Sequence, residues 1–357
     1  MSHDILFKDL TLGTLNINNR IWMAPLTRCR AGLEHIPNAL MAEYYAQRAS
    51  AGLIIAEATM AMEGNSAFWQ EPGIYNQAQI DGWKLVTDAV HAKGGKIFLQ
   101  IWHGGRACHP ALNGGKQPVA PSPIAIDDEV HTPEGKLPQV VPKELSDAEI
   151  PAIIQGFKQA AINAKAAGFD GVEVHGANGY LLDEFLRDGA NLRSGPYGGP
   201  MENRARLLLE VITAVCEVWP SQQVGVRISP LNSYNSMRDS DPVALTTWLA
   251  KRLNDFNLAY LHVMRSDFFQ QQSGDVLTPA RAHYKGVLVG NMGYSAEEAA
   301  AAISAGQLDA VAFGTPFLAN PDLPERFKTG ATLNTPDQST FYTQGAAGYT
   351  DYPFLKA

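Results

Sequence analysis

The chain has 357 residues, of which 45% are apolar and 18% charged, and its 36 acidic against 28 basic residues give a formal charge of −8. This composition excludes disorder and a collagen-like fibre. Because the chain is acidic and has no run of Lys or Arg, we expect a small-molecule partner, with no nucleic-acid or membrane surface. The charged opening residues and the lack of a long apolar run predict a cytoplasmic protein.

The first predicted element is a hairpin over residues 9–17, where apolar and polar residues alternate around Gly13. Short β-branched runs then alternate with longer amphipathic stretches almost to the end of the chain, a pattern typical of repeated strand–helix units and a parallel sheet. Eight runs are predicted as strands: residues 21–26, 53–57, 96–101, 171–175, 224–228, 259–263, 286–290 and 310–314.

Eight such units favour a closed (β/α)₈ TIM barrel of the α/β class over a doubly wound sheet, which usually has about five or six strands and a Gly-rich first turn. No G-x-G-x-x-G motif occurs in the chain. We therefore expect residues 1–357 to form a single barrel domain, with the N-terminal β-hairpin closing its bottom.

Connections between the predicted strands carry further signals. Ser146 with Glu149 and Ser295 with Glu298 have the spacing of capping boxes, and Asp241 precedes a proline at a first helical position. The stretch 103–145, after the third strand, contains seven prolines and is too long for a simple connection. We expect it to form a lid over a substrate site.

Active sites of such barrels lie at the carboxyl ends of the strands. The polar and aromatic residues at the predicted strand ends are Thr27, Arg28, Glu57, Thr59, Gln100, Trp102, His103, Glu173, His175, Arg227, His262, Arg265, Asn291 and Thr315. They include no H-E-x-x-H metal motif, and the chain has no P-loop and no G-x-S-x-G motif. Its three cysteines, Cys29, Cys108 and Cys216, lack C-x-x-C spacing, which disfavours disulfides, zinc ribbons and iron–sulfur clusters.

The most informative segment follows the fourth strand. His175 and Asn178 lie three residues apart in a glycine-punctuated turn, so both can present N–H donors to one oxygen of a carbonyl or nitro group. Tyr180 follows with a phenol whose ordinary pKa is about 10, which suits a proton donor to a carbanion or enolate at neutral pH. From these residues alone, His175 could instead have a structural role and Tyr180 could instead belong to the hydrophobic core.

Four motifs lie at the predicted strands: residues 19–28 (NRIWMAPLTR), 100–106 (QIWHGGR), 175–186 (HGANGYLLDEFL) and 313–323 (FGTPFLANPDL). In their sequence, order and position on the strands they resemble the Old Yellow Enzyme flavoproteins, especially the bacterial N-ethylmaleimide reductases and alkene reductases. The resemblance covers essentially the whole chain. It implies a barrel that holds FMN at its mouth, takes hydride from NADPH or NADH, and reduces an activated alkene.

The resemblance also implies roles for individual residues. Pro25, Leu26 and Thr27 would line the flavin, and Ala58 and Gln100 would hold its pyrimidine side. Arg227 would face N1 and O2, where a permanent cation stabilises the reduced ring. The backbone N–H groups of Asn291, Met292, Gly314 and Thr315 would cradle the phosphate.

On the substrate side, the resemblance implies that His175 and Asn178 bind the substrate oxygen, that Tyr180 donates a proton to the α-carbon, and that Trp102 lines the pocket. Since NAD(P)H and the alkene would use the same flavin face, a ping-pong cycle follows. The expected substrates are α,β-unsaturated carbonyls, maleimides and nitro compounds. Relatives include monomers and larger assemblies, so either a monomer or a homo-oligomer is expected.

Two positions depart from the family pattern. Thr315 stands where relatives commonly have an arginine, so FMN retention should weaken unless another cation reaches the phosphate, for which Arg326 is a candidate. Phe68 stands where relatives often carry a tyrosine near the substrate, which would alter substrate preference.

Two other functions compete with this interpretation. A lyase or aldolase on the same fold could use Lys96 as a Schiff-base nucleophile, although Lys96 begins its predicted strand and would lie at the bottom of the barrel. A flavin-binding protein without turnover is the second alternative.

Overall fold

The computed structural model describes residues 3–355. Its helices and strands follow the predicted alternation. The strands are β1 (Leu10–Leu12), β2 (Leu15–Ile17), β3 (Ile21–Met23), β4 (Ile54–Met60), β5 (Ile97–Trp102), β6 (Val119–Ala120), β7 (Glu129–Thr132), β8 (Gly135–Pro138), β9 (Lys143–Glu144), β10 (Gly171–Gly176), β11 (Val224–Ile228), β12 (Tyr260–Met264), β13 (Leu288–Asn291) and β14 (Ala310–Phe313).

The α-helices cover the outside of the sheet and form the connections. They are α1 (Ala39–Gln47), α2 (Gln77–His91), α3 (Ile150–Ala166), α4 (Leu181–Leu186), α5 (Met201–Arg204), α6 (Arg206–Cys216), α7 (Pro242–Leu253), α8 (Leu277–His283), α9 (Ala296–Ser304), α10 (Thr315–Ala319) and α11 (Leu323–Thr329). Within the described residues, none of them is long and apolar enough to cross a lipid bilayer.

Eight strands close into a parallel barrel in the order β3, β4, β5, β10, β11, β12, β13, β14 and back to β3. The predicted (β/α)₈ TIM barrel is therefore confirmed. Strand ends differ from the sequence prediction by a few residues. The first barrel strand, β3, ends at Met23 and not at the predicted Leu26, because Pro25 has no N–H to donate to a neighbouring strand. The second barrel strand, β4, extends beyond its predicted end to Met60.

The N-terminal hairpin closes the bottom of the barrel, as expected. β1 and β2 pair antiparallel, and Leu12 and Ile17 pack into one buried cluster with Trp22, Phe98 and Tyr260 of the barrel strands. Burial of these side chains fills the amino-terminal end of the barrel, so only its opposite end is open for a ligand.

Helix starts agree with the sequence prediction at two of three positions. Ser295 and Glu298 form a reciprocal capping box, and the Asp241 side chain accepts from the Ala244 N–H. The predicted capping box at Ser146 forms only in part, since the Glu149 carboxylate accepts from the Ser146 N–H over 2.9 Å. The hydroxyl of Ser146 donates to the Glu149 carboxylate instead of accepting from the backbone, and α3 begins only at Ile150.

The long excursion after β5 forms small sheets of its own instead of a structureless loop. β6 pairs with β9, and β7 forms an antiparallel hairpin with β8. Residues 128–132 of this hairpin line a cavity that also contacts Tyr180. The excursion thus lies over the open end of the barrel, and its action as a lid stays a prediction.

Candidate active site

The carboxyl ends of the barrel strands surround a cavity of about 290 Å³. Because parallel strands present these ends at one rim, residues distant in sequence meet there. Eleven of the predicted site residues line the cavity: Pro25, Leu26, Thr27, Ala58, Phe68, Gln100, His175, Asn178, Tyr180, Arg227 and Thr315. Asn291, Met292, Gly314 and Trp102 do not line it.

One wall of the cavity carries a fixed positive charge. Arg227, on β11, is buried, and its Nη2 donates to Oδ1 of Asn291 over 2.8 Å. Asn291 is itself held by a 2.7 Å bond from its Nδ2 to the carbonyl of Ala312. The buried Nε of Arg227 has no protein partner. An unpartnered guanidinium donor beside a cavity suits an electron-rich ligand.

A buried polar chain orients Gln100 on the neighbouring wall. Its Nε2 donates to Oε1 of Glu173 over 2.7 Å, and the other carboxylate oxygen of Glu173 lies 2.9 Å from Nδ1 of His262. Because the amide nitrogen of Gln100 is hydrogen-bonded to Glu173, the amide oxygen of Gln100 remains available to accept a hydrogen bond from a ligand.

His175, at the end of β10, is a neutral hydrogen-bond donor in this site. Burial, and then the nearby charges of Arg227 and His262, lower the pKa of His175 well below its ordinary value. Its Nδ1 accepts from the Ala177 N–H over 3.3 Å. In a neutral imidazole the hydrogen then resides on Nε2, so that atom can donate to a substrate oxygen.

Asn178 lies in the turn after β10 with a positive φ of 58°, a conformation that asparagine tolerates better than most residues. Its backbone N–H donates to Oγ of Ser229 over 2.7 Å. This turn brings the Asn178 side chain into the same cavity as His175. Both predicted donors of the oxygen clamp therefore face one space.

Tyr180 lies at the start of α4 and keeps its proton at neutral pH, because burial raises the pKa of its phenol well above the ordinary value. Its ring meets that of His175 edge-on at 5.3 Å and that of Trp102 edge-on at 5.0 Å. Trp102 is fully buried behind Tyr180 and Phe68. Trp102 thus contacts the Tyr180 ring and does not line the described cavity, and its role in the substrate pocket stays a prediction.

The predicted phosphate cradle lies at the ends of two neighbouring strands, β13 and β14. Met292 has a φ of 89°, and its carbonyl accepts from Nε of Arg265 over 2.8 Å. Gly314 and Thr315 begin α10 beside it, and Thr315 is exposed. The turns that follow β13 and β14 are thus neighbours at the rim, and the binding of a phosphate by their backbone N–H groups stays a prediction.

Arg326 does not replace the missing cation. Its Nε donates to Asp322 over 2.7 Å, Nη1 to the carbonyl of Thr332 over 2.6 Å, and Nη2 to that of Pro353 over 2.8 Å. The guanidinium therefore ties α11 to the C-terminal segment, and the expectation that it reaches the phosphate is wrong.

A larger cavity of about 510 Å³ adjoins the first one and shares Phe68, Tyr180, Tyr234 and Tyr342 with it. Four further aromatic residues line the first cavity and were not predicted from the sequence: Tyr234, Phe268, Phe341 and Tyr342. They come from connecting loops and the C-terminal segment, which carry no periodicity. The one local signal is the aromatic pair Phe268–Phe269, left exposed in a polar loop.

The alternatives to a flavin site find little support in the geometry. Lys96 precedes β5 at the amino-terminal end of the barrel, where its Nζ lies 3.5 Å from Asp170. Among residues 3–355, no group of His, Cys, Asp and Glu could hold a metal ion. All three cysteines are free thiols.

Comparison with known proteins decides the family. The model of the NADH:flavin oxidoreductase / NADH oxidase family matches residues 5–334. A protein of Leishmania infantum described as a probable flavin mononucleotide-dependent alkene reductase is 50% identical over 362 residues, covering 99% of this chain and 98% of the relative. The chain belongs to the NADH:flavin oxidoreductase / NADH oxidase family.

Solved structures of similar proteins support the same family. The old yellow enzyme from Trypanosoma cruzi is 46% identical with a TM-score of 0.97, covering 99% of this chain and all of that one. Morphinone reductase in complex with tetrahydroNAD is 46% identical with a TM-score of 0.94, covering 98% of each chain. The predicted Old Yellow Enzyme family, oxidoreductase class, flavin cofactor FMN and nicotinamide reductant are thereby confirmed. Members of this family act on small molecules.

Glu184, on α4, is a buried carboxyl group whose ionisation we expect to make the stability of the fold depend on pH. One carboxylate oxygen accepts from the Arg106 N–H over 2.8 Å, the other has no partner, and burial raises the pKa of Glu184 to about 8. Since the unfolded side chain ionises near its ordinary pKa of 4.5, this group favours folding at low pH, and that contribution is lost as pH rises towards 8.

We predict that Glu184→Gln reduces the loss of stability between about pH 6 and about pH 8.5 by about 2 kcal/mol, since glutamine has no proton to release. The free energy of unfolding, measured in urea at both pH values, tests this. Glu134→Gln, in the exposed turn between β7 and β8, is the matched control and should follow the wild-type profile. An unchanged pH profile in Glu184→Gln would contradict the prediction.

Proposed function

We propose that this protein is an FMN-dependent alkene reductase, with residues 1–357 as one FMN-binding domain. Its proposed substrates are α,β-unsaturated carbonyls, maleimides and nitro compounds. One observation carries the proposal: the neutral donors of His175 and Asn178 line the same cavity as Arg227 and Gln100. The cavity therefore combines a place for an electron-rich cofactor with a clamp for an electron-withdrawing oxygen.

The residues of the cavity fit FMN. The Nε of Arg227 is a buried donor in need of a partner, and Gln100 is held with its amide oxygen free. In our proposal Pro25, Leu26 and Ala58 contact the ring, and the hydroxyl of Thr27 donates to it. The backbone of Asn291, Met292, Gly314 and Thr315 cradles the phosphate. When bound, FMN supplies hydride transfer between NAD(P)H and the alkene.

In this proposal the chain contributes an oxygen clamp and a proton. His175 Nε2 and the Asn178 amide donate to the substrate oxygen, which draws electron density from the double bond as hydride arrives at the β-carbon. Tyr180 then gives its proton to the α-carbon, a role that suits a phenol kept protonated by burial. NAD(P)H and the alkene occupy the same cavity in turn, which makes the cycle ping-pong.

Removing the phenol proton should separate the two halves of this cycle. We predict that Tyr180→Phe slows reoxidation by 2-cyclohexen-1-one about tenfold or more, while reduction by NADPH or NADH changes little, because only the alkene half-reaction needs a proton donor. Stopped-flow absorbance of the FMN-loaded protein measures each half-reaction.

The control is Tyr284→Phe, which removes a buried hydroxyl just after α8, outside both cavities that contain Tyr180. Its half-reactions should match those of the wild type. Equal slowing of both half-reactions in Tyr180→Phe would contradict the donor role. A wild-type protein that binds no FMN, or that is reduced but never reoxidised by an alkene, would overturn the proposed function itself.

The missing arginine at position 315 gives a second test. Thr315 is exposed at the first residue of α10, so a longer side chain fits there. We predict that Thr315→Arg lowers the dissociation constant for FMN about tenfold, through a charge-assisted bond to the phosphate.

Fluorescence titration of the apoprotein with FMN and with riboflavin measures this effect. Riboflavin lacks the phosphate, so its affinity should not change. Thr329→Arg adds the same charge at an exposed position of α11 and serves as the control. Equal gains for both ligands, or in both variants, would contradict a specific phosphate contact.

A further inference from the structure

Asn232, in the loop after β11, lies behind the Asn178 side chain and is fully buried. Its Nδ2 donates to Oδ1 of Asn178 over 2.9 Å. A carboxamide places its oxygen and its nitrogen at opposite corners of one plane. With Oδ1 of Asn178 turned towards Asn232, the NH₂ group of Asn178 is the part left for the cavity that this residue lines.

The orientation of Asn232 is set by its own partners. Its Oδ1 accepts from two backbone donors, the N–H of Tyr234 at 3.4 Å and that of Phe268 at 3.3 Å. Turning the amide over would point its NH₂ group at those two N–H groups and its oxygen at Oδ1 of Asn178. Every contact would then be donor against donor or acceptor against acceptor, so only one orientation is satisfied.

The backbone around Asn232 is also anchored. Its carbonyl accepts from Nη1 of the buried Arg187 over 2.6 Å. Asn178 is fixed in turn, because Ser229 receives its N–H and Nδ2 of Asn235 donates to its carbonyl over 2.9 Å. The Asn232–Asn178 hydrogen bond therefore joins two backbone segments that are each anchored by hydrogen bonds, which disfavours rotation of the Asn178 amide.

We propose that Asn232 is a positioning residue that holds the Asn178 carboxamide with its N–H groups towards the substrate oxygen. The inference rests on the proposed function, since it names what keeps the oxygen clamp in its donating state. Asn232 also receives the N–H groups of Tyr234 and Phe268, two residues of the cavity wall. One buried side chain thus links the clamp to two loops at the mouth.

Asn232→Asp tests the proposal most sharply. A carboxylate cannot donate to Oδ1 of Asn178, so the Asn178 amide should turn over, give its NH₂ group to the new carboxylate and present its oxygen to the cavity. We predict that the dissociation constant of 4-hydroxybenzaldehyde, whose phenolate oxygen would occupy the clamp, rises about tenfold or more. Titration of the FMN-loaded protein, followed by flavin absorbance, measures this constant.

A double-mutant cycle separates positioning from a general effect on the fold. In an Asn178→Ala background, Asn232→Asp should change the phenol affinity less than about twofold, because the amide it orients is gone. A loss as large as in the wild-type background would overturn the proposal, since it would show that Asn232 acts without Asn178. Asn163→Asp on α3 replaces another buried amide by a carboxylate and should bind the phenol normally.

Asn232→Ala serves if the aspartate variant does not fold. It removes the donor without adding charge, leaves the Asn178 amide free to turn, and should weaken phenol binding by a smaller factor that also disappears in the Asn178→Ala background. Unchanged phenol affinity in a folded Asn232 variant would overturn the inference. If the wild-type protein itself failed to bind FMN or to reduce alkenes, the proposed function would fail instead, and the two results are distinguishable.

Discussion

Parallel hydrogen bonding between β14 and β3 closes the sheet into a ring, and the site depends on that closure. A closed parallel barrel has one rim of carboxyl ends, so Thr27, Gln100, His175 and Arg227 meet although 200 residues separate the first from the last. The hairpin of β1 and β2 fills the other end. The barrel therefore has one open end, where a ligand can bind, and one end that is packed with buried side chains.

Burial at the rim determines which polar side chains are charged and which are neutral. Arg227 remains a permanent cation, and the same low-dielectric surroundings keep His175 neutral and Tyr180 protonated. A neutral imidazole and a carboxamide can donate to a substrate oxygen without attracting a stray anion as strongly as a second cation would. In the proposed function, this arrangement puts the fixed charge of Arg227 next to the cofactor and the neutral donors next to the substrate.

The barrel and most of the rim could be predicted because each strand carries a local signal, a short β-branched run followed by a polar residue. That signal placed His175 and Arg227 correctly. It could not show that Tyr180 covers the ring of Trp102, since a strand pattern shows which face a side chain takes but not its neighbours. Nor could it show that Arg326 is held by Asp322, Thr332 and Pro353, because two of these partners lie beyond the last α-helix.

Tyr342 and Asn232 were missed because their positions depend on how loops pack, which no local pattern encodes. A crystal structure of the FMN-loaded protein with 4-hydroxybenzaldehyde would test whether one cavity holds both the flavin and the oxygen clamp. We expect the phenol oxygen within about 3.2 Å of both Nε2 of His175 and Nδ2 of Asn178, on the side of the flavin facing Tyr180. A phenol oxygen bonded to neither residue, or a flavin bound away from Arg227 and Gln100, would contradict this expectation.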